Sequence, residues 1–120
     1  MAKVIKIGDK ELNFKASALT SMAYKKLFKE DILKSLGELD PKTFDASKAT
    51  DTLDTITRLA FIMNRQAEGM PVKDLMNLNE IEYYEWIDQF NFSDLYDSNY
   101  ISEVLSVWTD GLQTSAKAKN

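Results

Sequence analysis

The side chains that run most enzyme chemistry are missing from these 120 residues. There is no Cys and no His, which removes the thiolate nucleophile, the commonest general base and the commonest transition-metal ligands. The remaining acids come in helical spacing. Asp51 and Asp54 are three residues apart, and Glu82, Glu85 and Asp88 repeat that step. Such spacing puts carboxylates on one side of a helix, where a hard cation could be held. A cation loop also needs a glycine-turned run of oxygen ligands, and a two-carboxylate hydrolase needs a cleft that raises the pKa of one acid. The sequence offers neither, so these acids read as a solvated helix face. Gly8, Gly37, Gly69 and Gly111 are isolated from one another, and no phosphate-cradling loop can be built from that spacing. No catalytic residue, cofactor or metal site is expected, and the chain is read as a non-enzyme.

The sequence supplies contact surface instead. Tyr83, Tyr84, Trp86, Phe90, Phe92 and Tyr96 crowd into residues 83–96. With 3.6 residues per turn they cannot all face one core. Two arrangements are open. The rings form a core with the Tyr hydroxyls at its edge, or some of them line a groove that takes an apolar helix of a partner. Tyr83, Trp86, Phe90, Phe92 and Tyr96 are the partner-binding candidates, with Trp108 added from the last helix.

The net charge of −4 is unevenly distributed. Residues 1–30 carry seven Lys against three acids, whereas residues 74–116 carry nine acids and no Lys or Arg. The acidic stretch is either a solvated face or one half of an attraction between opposite ends of neighbouring copies. A nucleic-acid binder is disfavoured, because the basic segment is short and the acidic one repels phosphate.

These residues must be positioned by a mainly α fold: a short N-terminal β-hairpin followed by a compact bundle of four or five helices. Lys3–Ile7 is rich in β-branched residues, and Glu11–Ala16 alternates polar and apolar. Gly8-Asp9-Lys10 between them predicts the hairpin loop. Ile5 and Ile7 would share a buried face with Leu12 and Phe14. A lone hairpin is marginal in water, so it must pack on helices or on another subunit. Val4, Ile5 and Phe14 are therefore the self-association candidates. Ser17 reads as an N-cap for a helix with Leu19, Met22, Ala23, Leu27 and Phe28 at helical spacing. Ile32, Leu33 and Leu36 extend that pattern to a C-cap at Gly37, and Asp40-Pro41 opens a polar connection interrupted by Phe44.

A second long helix begins at Asp51, with Leu53, Ile56, Leu59, Ala60, Met63 and Ala67 as its stripe, and ends at Gly69-Met70-Pro71. A short helix is expected over Val72–Leu78. Asn79 caps the run Glu80–Phe90. There Ile81, Tyr84 and Ile87 form one apolar line, with Trp86 and Phe90 in a second line beside it. The last helix is expected over Asn99–Gly111, with Ile101, Val104, Leu105 and Trp108 apolar. Residues 1–113 form one domain, and 114–120, with no apolar side chain larger than Ala, a loose tail. No apolar run approaches the ~20 residues that span a bilayer. The N-terminus lacks a secretion signal, so a cytoplasmic location is expected.

Three stretches in this order resemble the tail assembly chaperones of long-tailed, siphovirus-type bacteriophages and prophages of Gram-positive hosts. The first is the hairpin, Val4-Ile5-Lys6-Ile7-Gly8-Asp9-Lys10-Glu11-Leu12-Asn13-Phe14-Lys15-Ala16-Ser17. The second is Tyr24-Lys25-Lys26-Leu27-Phe28-Lys29-Glu30-Asp31-Ile32-Leu33, similar to the family's Tyr…Phe…Asp-Ile/Leu signature. The third joins Leu59-Ala60-Phe61-Ile62-Met63-Asn64-Arg65-Gln66-Ala67 to Tyr84-Glu85-Trp86-Ile87 and Phe90. Together they span residues 4–90. One departure is Lys29, where relatives often carry Gly. The resemblance implies a non-enzymatic protein of the bacterial host cytoplasm, absent from the mature virion. It would bind the apolar, helical tape measure protein, keep it soluble and help recruit tail tube protein around it. It also implies a homo-oligomer, here expected head to tail, and often a longer frameshifted form. The competing expectation is a small structural head–tail connector or tail completion protein.

Overall fold

The computed structural model describes residues 2–32, 34 and 50–118. The features expected at Leu33, Leu36, Gly37, Asp40-Pro41 and Phe44 lie outside the described residues. The chain is mainly helical with an N-terminal hairpin, as its patterning predicts.

Strands β1 (Ala2–Ile7) and β2 (Lys10–Lys15) pair antiparallel, with Ile5 opposite Leu12 and Ile7 opposite Lys10. The loop is only Gly8-Asp9, since Lys10 already belongs to β2. Gly8 has φ 64°, the positive value a two-residue hairpin loop demands. A side chain is excluded there for a second reason: a Cβ on Gly8 would fall 2.5 Å from an Asp94 carboxylate oxygen. Alternation turns Ile5, Ile7 and Phe14 into the core, with Leu12 half-buried beside them.

Helix α1 (Ala18–Phe28) starts in a capping box: Ser17 Oγ accepts from the Leu19 N–H, and Thr20 Oγ1 accepts from the Ser17 N–H. Its buried stripe is Thr20, Ala23 and Tyr24, flanked by half-buried Leu27. Met22, expected inside, is 61% exposed. The inward face is set instead by Thr20, whose hydroxyl donates to the Gln66 carbonyl oxygen of the next helix. The helix closes on Lys29, in the left-handed conformation at φ 58° and ψ 35°, with its N–H on the Lys25 carbonyl.

Helix α2 (Thr50–Ala67) is the central element. Leu53, Ile56, Leu59, Ala60 and Met63 are buried as the stripe predicts, but so are Thr55, Thr57, Phe61, Ile62 and Asn64. A helix covered on most sides has neighbours all round it, here the hairpin, α1 and the later helices. It ends in a Schellman motif: Met70 N–H on Arg65 carbonyl, Gly69 N–H on Gln66 carbonyl, Gly69 at φ 85°.

Three shorter helices follow: α3 (Val72–Leu75), α4 (Glu80–Ile87), whose N-cap Asn79 accepts from the Glu82 N–H, and α5 (Phe92–Leu95). Helix α3 is shorter than expected, and Met76 through Leu78 form the link to α4. The last helix, α6 (Ser98–Ala118), buries Tyr100, Ile101, Val104, Leu105, Val107 and Trp108. It runs through the expected stop at Gly111 and takes in most of the segment read as a tail. Gly111 is not a cap: a Cβ there would lie 2.7 Å from the Ala16 Cβ, so the glycine lets α6 cross the end of β2 closely. Among the described residues no helix is long and apolar enough to cross a membrane.

Candidate partner-binding surface

Six aromatic residues form an interior chain, and Phe92 and Tyr96 form an exterior pair. Tyr24 and Phe28 of α1 stack at 5.0 Å between centroids, and Phe28 meets Tyr83 of α4 edge-on at 5.1 Å. Phe61 of α2 touches both Tyr83, at 5.5 Å, and Trp86, at 5.6 Å. Phe90 closes the line, edge-on to Trp86 at 5.0 Å. Offset and edge-on pairs of this kind add to simple area burial, and this chain of rings ties α1, α2 and α4 together.

Asn64 fixes which face of α4 turns inward. Its side-chain oxygen accepts from the Trp86 indole N–H at 3.0 Å and from the Arg65 guanidinium at 2.7 Å. Its amide nitrogen donates to the Asn13 carbonyl at 2.9 Å. A buried indole needs an acceptor, and Asn64 offers one only to the face that carries Trp86 and Tyr83. Ile81 and Tyr84, expected as the inward line with Ile87, therefore point out and are 63% and 54% exposed.

This arrangement corrects several sequence expectations. Tyr83, Trp86 and Trp108 are each 5% exposed and belong to the core, where a partner cannot reach them without unfolding the chain. Ile5 and Phe14 are buried against the chain's own helices, which leaves Val4, 54% exposed, as the one self-association candidate at the surface. Phe90 is half-buried at the edge of the ring chain. Phe92 and Tyr96 are the candidates that face outward. Phe92 is 74% exposed, and its ring meets Tyr96 edge-on at 4.4 Å. The pair is carried by α5, which Asp94 brings against Gly8 of the hairpin loop.

Sequence reading missed a polar cluster beside the rings. The Tyr24 hydroxyl donates to Glu30 at 2.7 Å, and the Arg58 guanidinium lies 5.3 Å above the Phe28 ring. Burial, reinforced by Glu30, pushes the Tyr24 phenol well above its ordinary pKa, and burial does the same to Tyr83 and Tyr100. These phenols stay neutral, as members of a core do, and are not poised as bases. The spacing Tyr24…Arg58 carries no sequence signal, because the two meet only through the packing of α1 on α2. A cleft of about 340 Å3 opens between α1 and residues 75–80, lined by Ala23, Leu27, Leu75 and Leu78 with Lys26 and Lys29. None of the predicted partner residues lines it. Among the described residues no group of three or more acids converges on a metal-sized site.

No known protein family, curated protein or solved structure matches the chain.

Proposed function

We propose that this protein is a non-enzymatic tail assembly chaperone of a long-tailed phage or prophage. It acts in the host cytoplasm on an apolar, helical tape measure protein and helps bring tail tube protein to it. Support comes from the three stretches that resemble that family. One observation carries the site: Phe92 stands 74% exposed, braced by Tyr96, inside a stretch with no basic residue, while Tyr83 and Trp86 are packed away. A large exposed aromatic costs solubility unless it has a partner, and aromatic anchors dominate protein contacts.

Coexpression with the cognate tape measure protein tests the reading. The intact chaperone keeps the tape measure soluble and copurifies with it. The double variant Phe92→Ser/Tyr96→Ser melts at an unchanged temperature and leaves the tape measure insoluble. A double variant that still solubilises the partner removes the site. Failure of the intact chain removes the function, and its presence in purified virions would favour a structural connector or completion protein.

A further inference from the structure

The hairpin has two edges, and they are treated differently. A two-residue loop is flanked by a hydrogen-bonded pair, here Ile7 and Lys10. Alternation then makes Lys6–Glu11 and Val4–Asn13 non-hydrogen-bonded pairs, whose N–H and C=O groups point away from the ladder. The Asn13 carbonyl confirms this phase, because it leaves the outer edge of β2 and accepts from the Asn64 side chain at 2.9 Å. At the β2 edge the Asn13 carbonyl is thus taken by α2, which packs along this strand. On β1 the corresponding groups belong to Ala2, Val4 and Lys6, all exposed. Among the described residues their outward N–H and C=O groups meet no partner. An unpaired strand edge is a template for another strand.

We propose that the outer edge of β1 receives an extended acidic segment of a partner protein as a third strand. This goes beyond the chaperone reading, which concerns an apolar helix and the Phe92–Tyr96 surface. Charge decides the occupant. The hairpin carries Lys3, Lys6, Lys10 and Lys15 against Asp9 and Glu11. A second copy of β1 would bring the same positive excess to the edge, whereas acids at alternate positions of an incoming strand all lie on one face and can pair with Lys3. Val4, 54% exposed on the opposite face, offers a cross-strand contact to the β-branched residues that alternate with those acids. A helix cannot satisfy the free backbone row, because its own N–H groups are already used.

The edge geometry supplies a clean variant. Proline is tolerated in an edge strand where its missing N–H faced solvent, and the Val4 N–H points out of the ladder. Val4→Pro therefore keeps the hairpin and blocks the edge, and Lys6→Pro does the same at the next outward position. The probe is a labelled peptide alternating Glu and Val, with a Lys–Val peptide as control, titrated onto the full chain by fluorescence anisotropy. The acidic peptide binds, more weakly in high salt, and protects the Val4 and Lys6 amides from hydrogen exchange. Each proline variant melts within a degree or two of the parent and binds at least tenfold more weakly. Equal binding of both peptides, or binding unchanged by both prolines, overturns the proposal. So does protection of the Val4 and Lys6 amides from hydrogen exchange at high concentration without peptide, which would put a second copy's strand on the edge.

Discussion

Trp86 and Asn64 are joined by a buried hydrogen bond of 3.0 Å that reaches across α4 and α2, and through Asn64 the same contact reaches β2 at the Asn13 carbonyl. One amide side chain, 1% exposed, thus holds three elements in register. Truncation to Asn64→Ala leaves the indole N–H without a partner in the interior, whereas the carbonyl of exposed Asn13 is open to water. The orphaned indole costs about 1–3 kcal/mol, and the variant loses at least that much. Urea denaturation followed by Trp fluorescence measures it. A loss below about 1 kcal/mol would show that the three elements are held by ring packing alone.

The division between interior and exterior aromatics gives opposite outcomes for two residues of one cluster. Trp86→Ala opens a cavity in the ring chain and destabilises by about 3–5 kcal/mol. Phe92→Ala changes stability by no more than about 0.5 kcal/mol, since it removes only an exposed edge-on contact. Thermal melts of the two variants side by side make the comparison, and equal losses would contradict the burial.

The parts of the fold legible in the sequence were those decided within a few residues. Ser17 and Asn79 are side chains that cap a helix directly after them, and the alternation of Ile5, Ile7, Leu12 and Phe14 fixes the inward side of the hairpin without outside help. Helix α4 was not decidable locally. Ile81, Tyr84 and Ile87 make as good an apolar line as Tyr83 and Trp86, and the choice belongs to Asn64, distant in sequence. Gly111 fails for the same reason: a glycine that stops a helix and one that lets it cross Ala16 are identical in type. Of the candidate site, the exposed pair Phe92 and Tyr96 was included, but so were three core aromatics, because composition says which rings are present and only packing says which remain outside.

Lys29 occupies the left-handed cap of α1 at φ 58°, a conformation that suits glycine and strains a residue with a Cβ. Its ammonium returns a hydrogen bond to the Lys26 carbonyl at 2.9 Å, which is exposed to solvent and adds little. Lys29→Gly relieves about 1–2 kcal/mol of left-handed strain but loosens the unfolded chain by about 0.4–1 kcal/mol, so a net gain of about 0.5–1 kcal/mol is expected. A rise in the urea midpoint with an unchanged slope reports this. A fall would mean that the lysine contact outweighs the cap.

Three phenols, Tyr24, Tyr83 and Tyr100, have pKa values raised above the ordinary 10.0 by burial. The folded state therefore holds these protons more tightly than the unfolded chain does. The stability this represents is fully present below the unfolded pKa of 10.0 and is lost as pH rises from there toward the folded values. Stability should be insensitive to these groups up to about pH 9 and fall steeply beyond about pH 10. Phenolate absorbance should rise together with loss of helix by circular dichroism. Smooth ionisation of all five tyrosines in the intact fold would refute the burial of these three.

We propose that copies of the chain assemble head to tail. Head-to-tail contacts join two different patches, so the patches must complement each other rather than themselves. The basic patch is the outer face of the hairpin, where Val4 stands beside Lys6. With Ile5 and Phe14 buried, Val4 supplies its apolar contact. The acidic patch is the outer face of α4, where exposed Ile81 and Tyr84 lie among Glu80, Glu82 and Glu85. Exposed ion pairs contribute little affinity, so the apolar residues must hold the joint while charge orients it and speeds encounter. Association should then rise with concentration and slow with added salt. Val4→Glu spoils one patch and Ile81→Glu the other, and each variant alone should sediment as a monomer. Mixed in equal amounts they retain one intact joint between them, so the mixture should stop at a dimer of one copy of each. A mixture that stays monomeric, or a parent chain that remains a strict monomer at high concentration in low salt, would eliminate head-to-tail assembly.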